Sequence, residues 1–407
     1  VALGLFEGNG THDGSATAKK INTFRIGVLD GYSFSQGSES TDVTINEAGA
    51  TPNRGSKRFN DSLPPAEWSF GTYVRPFKHG TNSWRQSGDM DMVENILWAS
   101  ISGKDITDGS LTSTSAPSVT VDSTDADVTF ERSEHHELLK LSIFFALENT
   151  TYRLNEAQVN QCEIDFSIDG IAQLTWSGNA TTIDQVSTAI EDPSKTLHAK
   201  PSGTDTSVTT ATYVEGYNYA DSTGPDDADY LRNKLSTLTL VAAAQGGGAS
   251  SGGLDARTYD INITGGSITI ANNVTYVTPE TLGIIDKPIG SFTGARQITG
   301  SLTCYLDTKS NGSNQLLTDL AGATDLVSNV FDMSLFMGGA SSAVPVVEFD
   351  IPKAHMTVPT IETADLISTS VEFAAHGTDL LTGDEMTVKY KGLTTHSDSQ
   401  YTTDHTV

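Results

Sequence analysis

The stretch Cys162-Glu-Ile-Asp-Phe-Ser-Ile-Asp169 alternates apolar residues with acidic or polar ones. Successive side chains of a β-strand point to opposite faces of a sheet, so this alternation predicts a strand with one buried and one polar face. A second stretch, Val347-Glu-Phe-Asp-Ile351, alternates in the same way. The acidic residues predicted on the polar faces are Glu163, Asp165, Asp169, Glu348 and Asp350.

The two stretches belong to a longer internal repeat. Aligning Phe166 with Phe349 makes Asp165 equivalent to Glu348 and places Ile168 on the core-facing side. The other matching segments, first copy before second, are 24–44 with 259–277, 68–75 with 298–305, 92–101 with 314–320, and 233–243 with 364–375. Several matches in one order predict a tandem duplication.

The shared order of elements is a strand pair, a strand, a helix and two further strands. The helix is predicted from the apolar spacing of 92–101 and 314–320, whereas the other segments follow strand patterns. A chain of 407 residues that is 37% apolar, 18% charged and rich in Ser, Thr, Gly and Asp suits short strands and turns. We therefore expect a mainly β protein of two domains, each with one flanking helix.

A glycine- and serine-rich segment, Gln245-Gly-Gly-Gly-Ala-Ser-Ser-Gly-Gly253, is typical of a flexible linker. We expect the chain on each side of it to fold separately. The predicted parts are an N-terminal arm (1–22), a first domain (23–244) with inserted loops or hairpins at about 104–130 and 179–232, the linker (245–256), a second domain (257–393) and a C-terminal tail (394–407). The arm is expected to be disordered alone or to dock on a neighbouring subunit.

The sequence contains only incomplete versions of known metal-binding motifs. His135-His136-Glu137 lacks the second histidine that a zinc-binding helix places four residues on, and the acidic turn Gly224-Pro-Asp-Asp-Ala-Asp229 lacks the spacing of a calcium-binding EF-hand. Phosphate-binding glycine loops and nucleophile elbows are not found either. We therefore expect no catalysis, no cofactor and no bound metal. Cys162 and Cys304 are predicted to be buried free thiols.

The formal net charge of −27 disfavours nucleic-acid binding, because acidic surfaces repel phosphates. Such repulsion suits a conduit through which DNA slides, although solubility or a salty habitat explains the charge equally well. The polar strand faces are open to two interpretations, the wall of a channel or an ordinary solvated surface. No apolar run is long enough to cross a bilayer and no signal-peptide pattern opens the chain, so we expect assembly in the cytoplasm without membrane contact.

The element order, with Phe166-Ser-Ile-Asp-Gly-Ile-Ala-Gln-Leu-Thr-Trp176 and Phe349-Asp-Ile-Pro-Lys-Ala-His-Met-Thr-Val358, resembles the tail tube (major tail) proteins of long-tailed bacteriophages and related archaeal viruses. The resemblance spans roughly residues 24–393. It implies β-sandwich or half-barrel domains flanked by a helix, and rings in which the sheets of neighbouring subunits surround a channel. Stacked rings would form the tail tube of the virion.

The resemblance also implies partners. Most members have one tube domain per chain and form hexameric rings, so a duplicated chain would form a trimeric, pseudo-hexameric ring. Its partners would be copies of itself and the tape measure, tail tip and tail terminator proteins, with viral DNA passing through without specific binding. The arm and the inserted loops are the candidates for the contact between stacked rings.

Two other functions compete with the tail tube. A two-domain β-sandwich adhesin or surface-layer protein would share the composition, but it would carry a secretion signal and would lack the helix in each repeat. A glycan hydrolase could use Asp165 and Asp169 as its acid and base, yet nothing in the sequence supplies a cleft or an aromatic platform.

Overall fold

The computed structural model describes residues 2–5, 23–44, 55–78, 90–92, 94–102, 119–121, 125–130, 138–147, 150–186, 210–215, 230–277, 288–323, 330–339, 345–357, 360–362, 368–379, 382–391 and 402–406. The motifs at 135–137 and 224–229 lie outside these residues. None of the helices in the described part of the chain has both the length and the apolar character needed to cross a membrane.

The chain is mainly β, as predicted. Up to residue 215 the elements are β1 (Ala2–Leu5), β2 (Thr23–Arg25), β3 (Ser33–Ser35), β4 (Glu39–Thr44), β5 (Ser56–Ser62), β6 (Ala66–Tyr73), β7 (Pro76–Lys78), β8 (Met90–Met92), α1 (Asn95–Ile101), β9 (Val119–Val121), β10 (Ala126–Thr129), β11 (Leu141–Leu147), β12 (Thr150–Ser167), β13 (Gln173–Ala180), β14 (Thr182–Val186) and β15 (Thr210–Glu215).

The remaining elements, apart from two short 3₁₀ turns at Asn233–Leu235 and Ala249–Ser251, are β16 (Thr237–Ala242), β17 (Arg257–Tyr259), β18 (Ile263–Ala271), β19 (Thr275–Val277), β20 (Gly290–Phe292), β21 (Gln297–Tyr305), α2 (Ser313–Gly322), β22 (Val330–Met337), β23 (Val346–Met356), β24 (Thr360–Glu362), β25 (Ser368–Ala375), β26 (Thr387–Lys391) and β27 (Thr402–Thr406). The helices α1 and α2 confirm the two helix predictions.

One scheme of strand pairing occurs twice. In the first copy the pairs are β1–β2, β1–β11, β11–β12, β12–β13, β13–β6, β6–β3 and β12–β14. In the second copy they are β16–β17, β16–β22, β22–β23, β23–β25, β25–β21, β21–β18 and β23–β26. The tandem duplication inferred from the sequence is therefore visible in the topology.

The second copy begins before the glycine-rich segment. β16 pairs with β22 and is the counterpart of β1, not of β25 as the match between 233–243 and 364–375 implied. The glycine-rich segment therefore lies inside the second copy, between β16 and β17. Gln245 and Leu254 exchange backbone hydrogen bonds of 2.9 Å, and the Gln245 side chain bonds both the N–H (3.3 Å) and the carbonyl oxygen (2.6 Å) of Val330.

The two sides of that segment also share sheets, which corrects the expectation of separate folding. β12 pairs with β18, and β10 pairs with β26. Strands from both predicted inserted regions, β10 and β15 among them, are paired within sheets. The described ends of the chain also pair within it, because β1 lies on β11 and β27 lies on β15.

Two layers of sheet enclose the core because β12 and β23 each serve both layers. The second half of β12 pairs with β13 and β18, and the first half pairs with β11 and β14. The inner sheet is antiparallel in the order β3–β6–β13–β12–β18–β21–β25–β23, with β24 also on β25. The first halves of β12 and β23 belong to the outer layer.

Aromatic side chains fill the space between the layers. Phe70, Phe166 and Trp176 of the inner sheet and Phe349 of the outer layer are all at most 2% exposed. The α1 residue Trp98 meets Trp176 edge to face, with ring centroids 5.0 Å apart. Its indole N–H also donates a 2.9 Å hydrogen bond to the hydroxyl of Tyr390 on β26, so the helix of the first copy is tied to the second.

Candidate functional site: the polar face of the inner sheet

Cross-strand pairing aligns the polar side chains of the inner sheet in rows. One row consists of Gly71, Thr175, Glu163, Thr269, Thr299, Ala374 and His355. The next consists of Tyr73, Gln173, Asp165, Ser267, Ser301 and Glu372, and it ends at Thr357, whose N–H donates to the Glu372 carbonyl oxygen (3.0 Å). Neither row contains a Lys or an Arg.

Glu163 and Asp165 lie on this polar face, and both are exposed. Their neighbours Cys162 and Ile164 are fully buried on the opposite face. The alternation predicted for this strand is therefore confirmed. Ile168 is the exception, because β12 ends at Ser167 and leaves Ile168 46% exposed in the following turn.

The second-copy half of this face is concave. A depression of about 430 Å³ spans four adjacent strands, and its lining includes Ser267, Thr269, Thr299, Ser301, Glu372 and His355. Short hydroxyl side chains dominate its wall, and Glu372 supplies a negative charge. A curved face of this composition leaves space on its open side and offers few groups that bind a polyanion.

Glu348 and Asp350 do not share this face. They lie on the first half of β23, in the outer layer, where Glu348 accepts a 2.6 Å hydrogen bond from Lys391 and Asp350 accepts one of 3.0 Å from Ser334. The negative charge of Asp350 also helps burial to raise the pKa of the Asp332 carboxyl above its usual value.

The predicted equivalence of Asp165 and Glu348 is therefore wrong. Asp165 pairs with Gln173 on β13, and the corresponding position opposite β25 is Glu362, which pairs with Ser368. Polar and apolar residues alternate along both halves of a long strand, so the pattern could not tell which half of β23 corresponds to which half of β12.

Asp169 lies beyond the end of the sheet. It is exposed in the turn between β12 and β13, and its carbonyl oxygen accepts a 3.0 Å hydrogen bond from the Ser167 hydroxyl. Glu372, in contrast, was not among the predicted residues. The alternation in Ser368-Thr-Ser-Val-Glu-Phe-Ala-Ala375 was the signal that could have identified it.

Both cysteines are buried free thiols, as predicted. Burial raises the pKa of Cys162, and the nearby charges of Glu94 and Glu163 raise it further. Burial, with Asp307 nearby, raises the pKa of Cys304 to about 11. Both thiols are therefore protonated and unreactive near neutral pH. Among the described residues no His, Cys, Asp and Glu side chains converge in a group of metal-ligand size.

The joint between the copies completes the geometry of the inner sheet. β12 and β18 pair over seven positions, from Gln161 opposite Ala271 to Ser167 opposite Gly265. Tyr276, beyond the end of β18, donates its hydroxyl toward the carbonyl oxygens of Glu156 and Asn179 in the first copy, both at 3.0 Å. Burial raises the pKa of this hydroxyl above its usual value. One four-stranded half of the sheet thus continues directly into the other.

Comparisons with known proteins agree with this architecture. The family model described as phage tail tube protein matches residues 48–375. The tail tube protein pb6 of Escherichia phage T5 is 38% identical to this chain over 368 residues, a match that covers 90% of this chain and 70% of that protein. The chain therefore belongs to the phage tail tube protein family, a family of structural proteins of the virion tail.

Proposed function

We propose that copies of this chain join edge to edge through their inner sheets into a closed ring, and that stacked rings form the tube through which viral DNA passes. Family membership supports a structural role in the tail. The observation that carries the ring is the continuous inner sheet, in which four strands of each copy join at β12–β18. An open sheet presents unpaired backbone N–H and C=O groups at its two edges. Both edges become paired when the last strand of one chain pairs with the first strand of the next.

The internal joint indicates how neighbouring chains would pair. β12 and the β23–β24 segment occupy corresponding places in the two copies, and so do β18 and β3. The contact between neighbouring chains, β23–β24 on β3, would therefore repeat the β12–β18 contact within one chain. At the joint, Glu163 lies opposite Thr269. Ala157 and Ala354 occupy corresponding places opposite β11 and β22. Counted along the paired strands from there, Thr360 corresponds to Glu163 and Ser35 corresponds to Thr269. Ser35 of one chain is therefore expected opposite Thr360 of the next.

Three chains would supply six similar sheets and close a pseudo-hexameric ring. The polar face would line the channel, with Glu163 and Asp165 from the first copy and Glu372 from the second. A negatively charged wall without lysines in its two central rows would let DNA move without binding. The tape measure, tail tip and tail terminator proteins remain the expected partners of such a tube, and no membrane contact or catalysis is part of this proposal.

A cysteine pair tests ring closure at one position. In the variant Ser35→Cys with Thr360→Cys, mild oxidation should produce covalently closed trimers, because paired strand residues have Cα atoms within the range of a disulfide. Glu163→Cys with Thr269→Cys is the positive control and should form its disulfide within one chain. Native Cys162 and Cys304 are buried and contribute little background.

Denaturing gel electrophoresis and light scattering report the products, and negative-stain microscopy reports the rings. Single-cysteine variants should remain uncrosslinked. If the internal control forms its disulfide while the Ser35/Thr360 variant gives no species larger than one chain at tube-forming concentrations, the proposed edge pairing is wrong.

A further inference from the structure

Two hairpins extend from the same end of the inner sheet. β4–β5 follows β3 and β19–β20 follows β18, and each forms a two-stranded sheet of its own. Every residue of β4 is exposed, and all but the last of β5. Two-stranded hairpins are at best marginally stable in water without a packing partner, so the exposed faces of these hairpins favour a contact with another molecule.

The hairpins present the same pair of apolar side chains. In the first, Phe59 lies opposite Thr41, and Val43 lies two residues further along the same face. In the second, Phe292 lies opposite Thr275, and Val277 lies two residues further. The members of these hairpin patches are Val43 (47% exposed), Phe59 (48%), Val277 (40%) and Phe292 (48%).

A third apolar patch lies at the opposite end of the inner sheet. This turn patch consists of Ile168 and Ile171, in the turn after β12, and Leu235, and they are 46%, 39% and 54% exposed. A bridge between Ile171 and Arg232 holds the two segments together. Along β12 the hairpin end is marked by Gln161 and the turn end by Ser167, so the patches face opposite directions along the strands.

Charged residues border the first hairpin patch and the turn patch. Beside the first hairpin patch, Glu39 and Asp61 accept hydrogen bonds from the hydroxyls of Ser62 and Thr41. Neither carboxylate forms an ion pair with the described residues. Lys57 lies opposite Val43, and its Nζ atom is 5.0 Å from the centroid of the Phe59 ring. At the turn patch, the exposed Arg232 and Lys234 precede Leu235, and the exposed Asp169 follows Ile168. The first hairpin patch and the turn patch therefore both combine apolar side chains with acidic and basic groups.

We propose that the hairpin patches of one ring dock on the turn patches of the next ring, so that the occupant of each patch is a second copy of this chain. The inference rests on the proposed function and names the surfaces of its stacking contact. Two different surfaces at opposite ends of a ring give a head-to-tail contact between rings. Such a contact can repeat without closing on itself, which is the geometry of an open filament. The hairpins therefore replace the N-terminal arm and the inserted loops as the elements assigned to stacking.

Two variants separate stacking from ring closure. The hairpin variant carries Phe59→Ser and Phe292→Ser, and the turn variant carries Ile168→Ser and Leu235→Ser. Each should raise the protein concentration needed for tube formation at least about tenfold, while three-chain rings persist. Matched controls are Asn60→Ser, on the other face of the first hairpin, and Asp169→Ser, in the same turn as Ile168. Both controls should form tubes like the unmodified chain.

Mixing the two variants is the decisive measurement. The hairpin variant retains an intact turn patch, and the turn variant retains intact hairpin patches. The mixture should therefore give stacks of two rings, one of each variant, that cannot add a third ring. Negative-stain microscopy and sedimentation velocity distinguish single rings, double rings and tubes.

Other outcomes count against the inference. Tubes of ordinary length from either variant would show that the patches bind a different tail protein. Single rings only in the mixture would show that the patches are not each other's partners, and monomers would show that they serve ring closure. Failure of the ring itself is detected independently by the Ser35/Thr360 disulfide.

Discussion

At the scale of single residues, the inner sheet depends on glycines placed opposite aromatic rings. Gly266 pairs with Phe166 and Gly300 pairs with Phe373. A Cβ atom on Gly300 would lie 2.5 Å from the Phe373 ring and 2.4 Å from the carbonyl oxygen of Ser267. The absence of a side chain lets the aromatic ring lie across the neighbouring strand, and this packing keeps the two layers close.

We expect Gly300→Ala to lower the free energy of unfolding by about 1–3 kcal/mol, because a close-packed sheet must shift to admit the methyl group. Gly290→Ala is the matched control, since nothing lies within 4 Å of its added Cβ. The denaturant midpoints of the two variants measure the difference. Equal midpoints would show that the Phe373 ring moves aside without cost.

At the scale of elements, the architecture depends on β12 and β23, the two long strands that pass from the outer layer into the inner sheet. β12 has 18 residues and β23 has 11, and each leaves one sheet to join the other. In β12 the register shifts near Glu156, which has a positive φ of 49°. Such a bend turns one continuous strand into the corner of a sandwich.

The glycine-rich segment is the second element whose role depends on its contacts. We expect Gln245→Ala to speed amide hydrogen exchange at Val330 and Leu254, because Val330 loses its side-chain acceptor and the turn that holds Leu254 loosens. Ser250→Ala, an exposed change in the same segment, should leave exchange unaltered. Rapid exchange at both amides in the unmodified chain would instead restore the description of this segment as a flexible linker.

At the scale of the whole molecule, acidic residues are distributed unevenly between the two copies on the inner face. Glu163 of the first copy corresponds by pairing to the neutral Thr360, and Glu372 of the second copy corresponds to the neutral Ser177, whereas Asp165 and its counterpart Glu362 are both acidic. Glu372 alone adds a negative charge in the second copy's part of the two rows. In a ring of three chains the channel charge would therefore repeat threefold, although the backbone repeats about sixfold.

Reversing one of these charges tests the channel. We expect Glu163→Lys to slow DNA release from virions several-fold at low salt, because lysines in the wall would attract the phosphates, and added salt should restore the rate. Asp350→Lys is the matched control, because it makes the same charge change on the outer layer, beside the acidic Asp332. Equal rates for both variants would place Glu163 outside the DNA path.

The sequence by itself determined the strand pattern, one helix per copy, the duplication and the resemblance to tail tube proteins. These properties depend on local periodicity and on self-similarity, which a linear sequence contains. Glu163 and Asp165 were assigned correctly to a polar face because alternation along a single strand settles which side a residue occupies.

Only the tertiary structure decided which sheet each strand half joins, where the second copy begins and which polar residues share a face. β16 belongs with β22, and Glu348 lies in a different layer from Asp165, because strand pairing is made between residues far apart in the chain. Local alternation is the same for every pairing partner, so it contains no information about that choice.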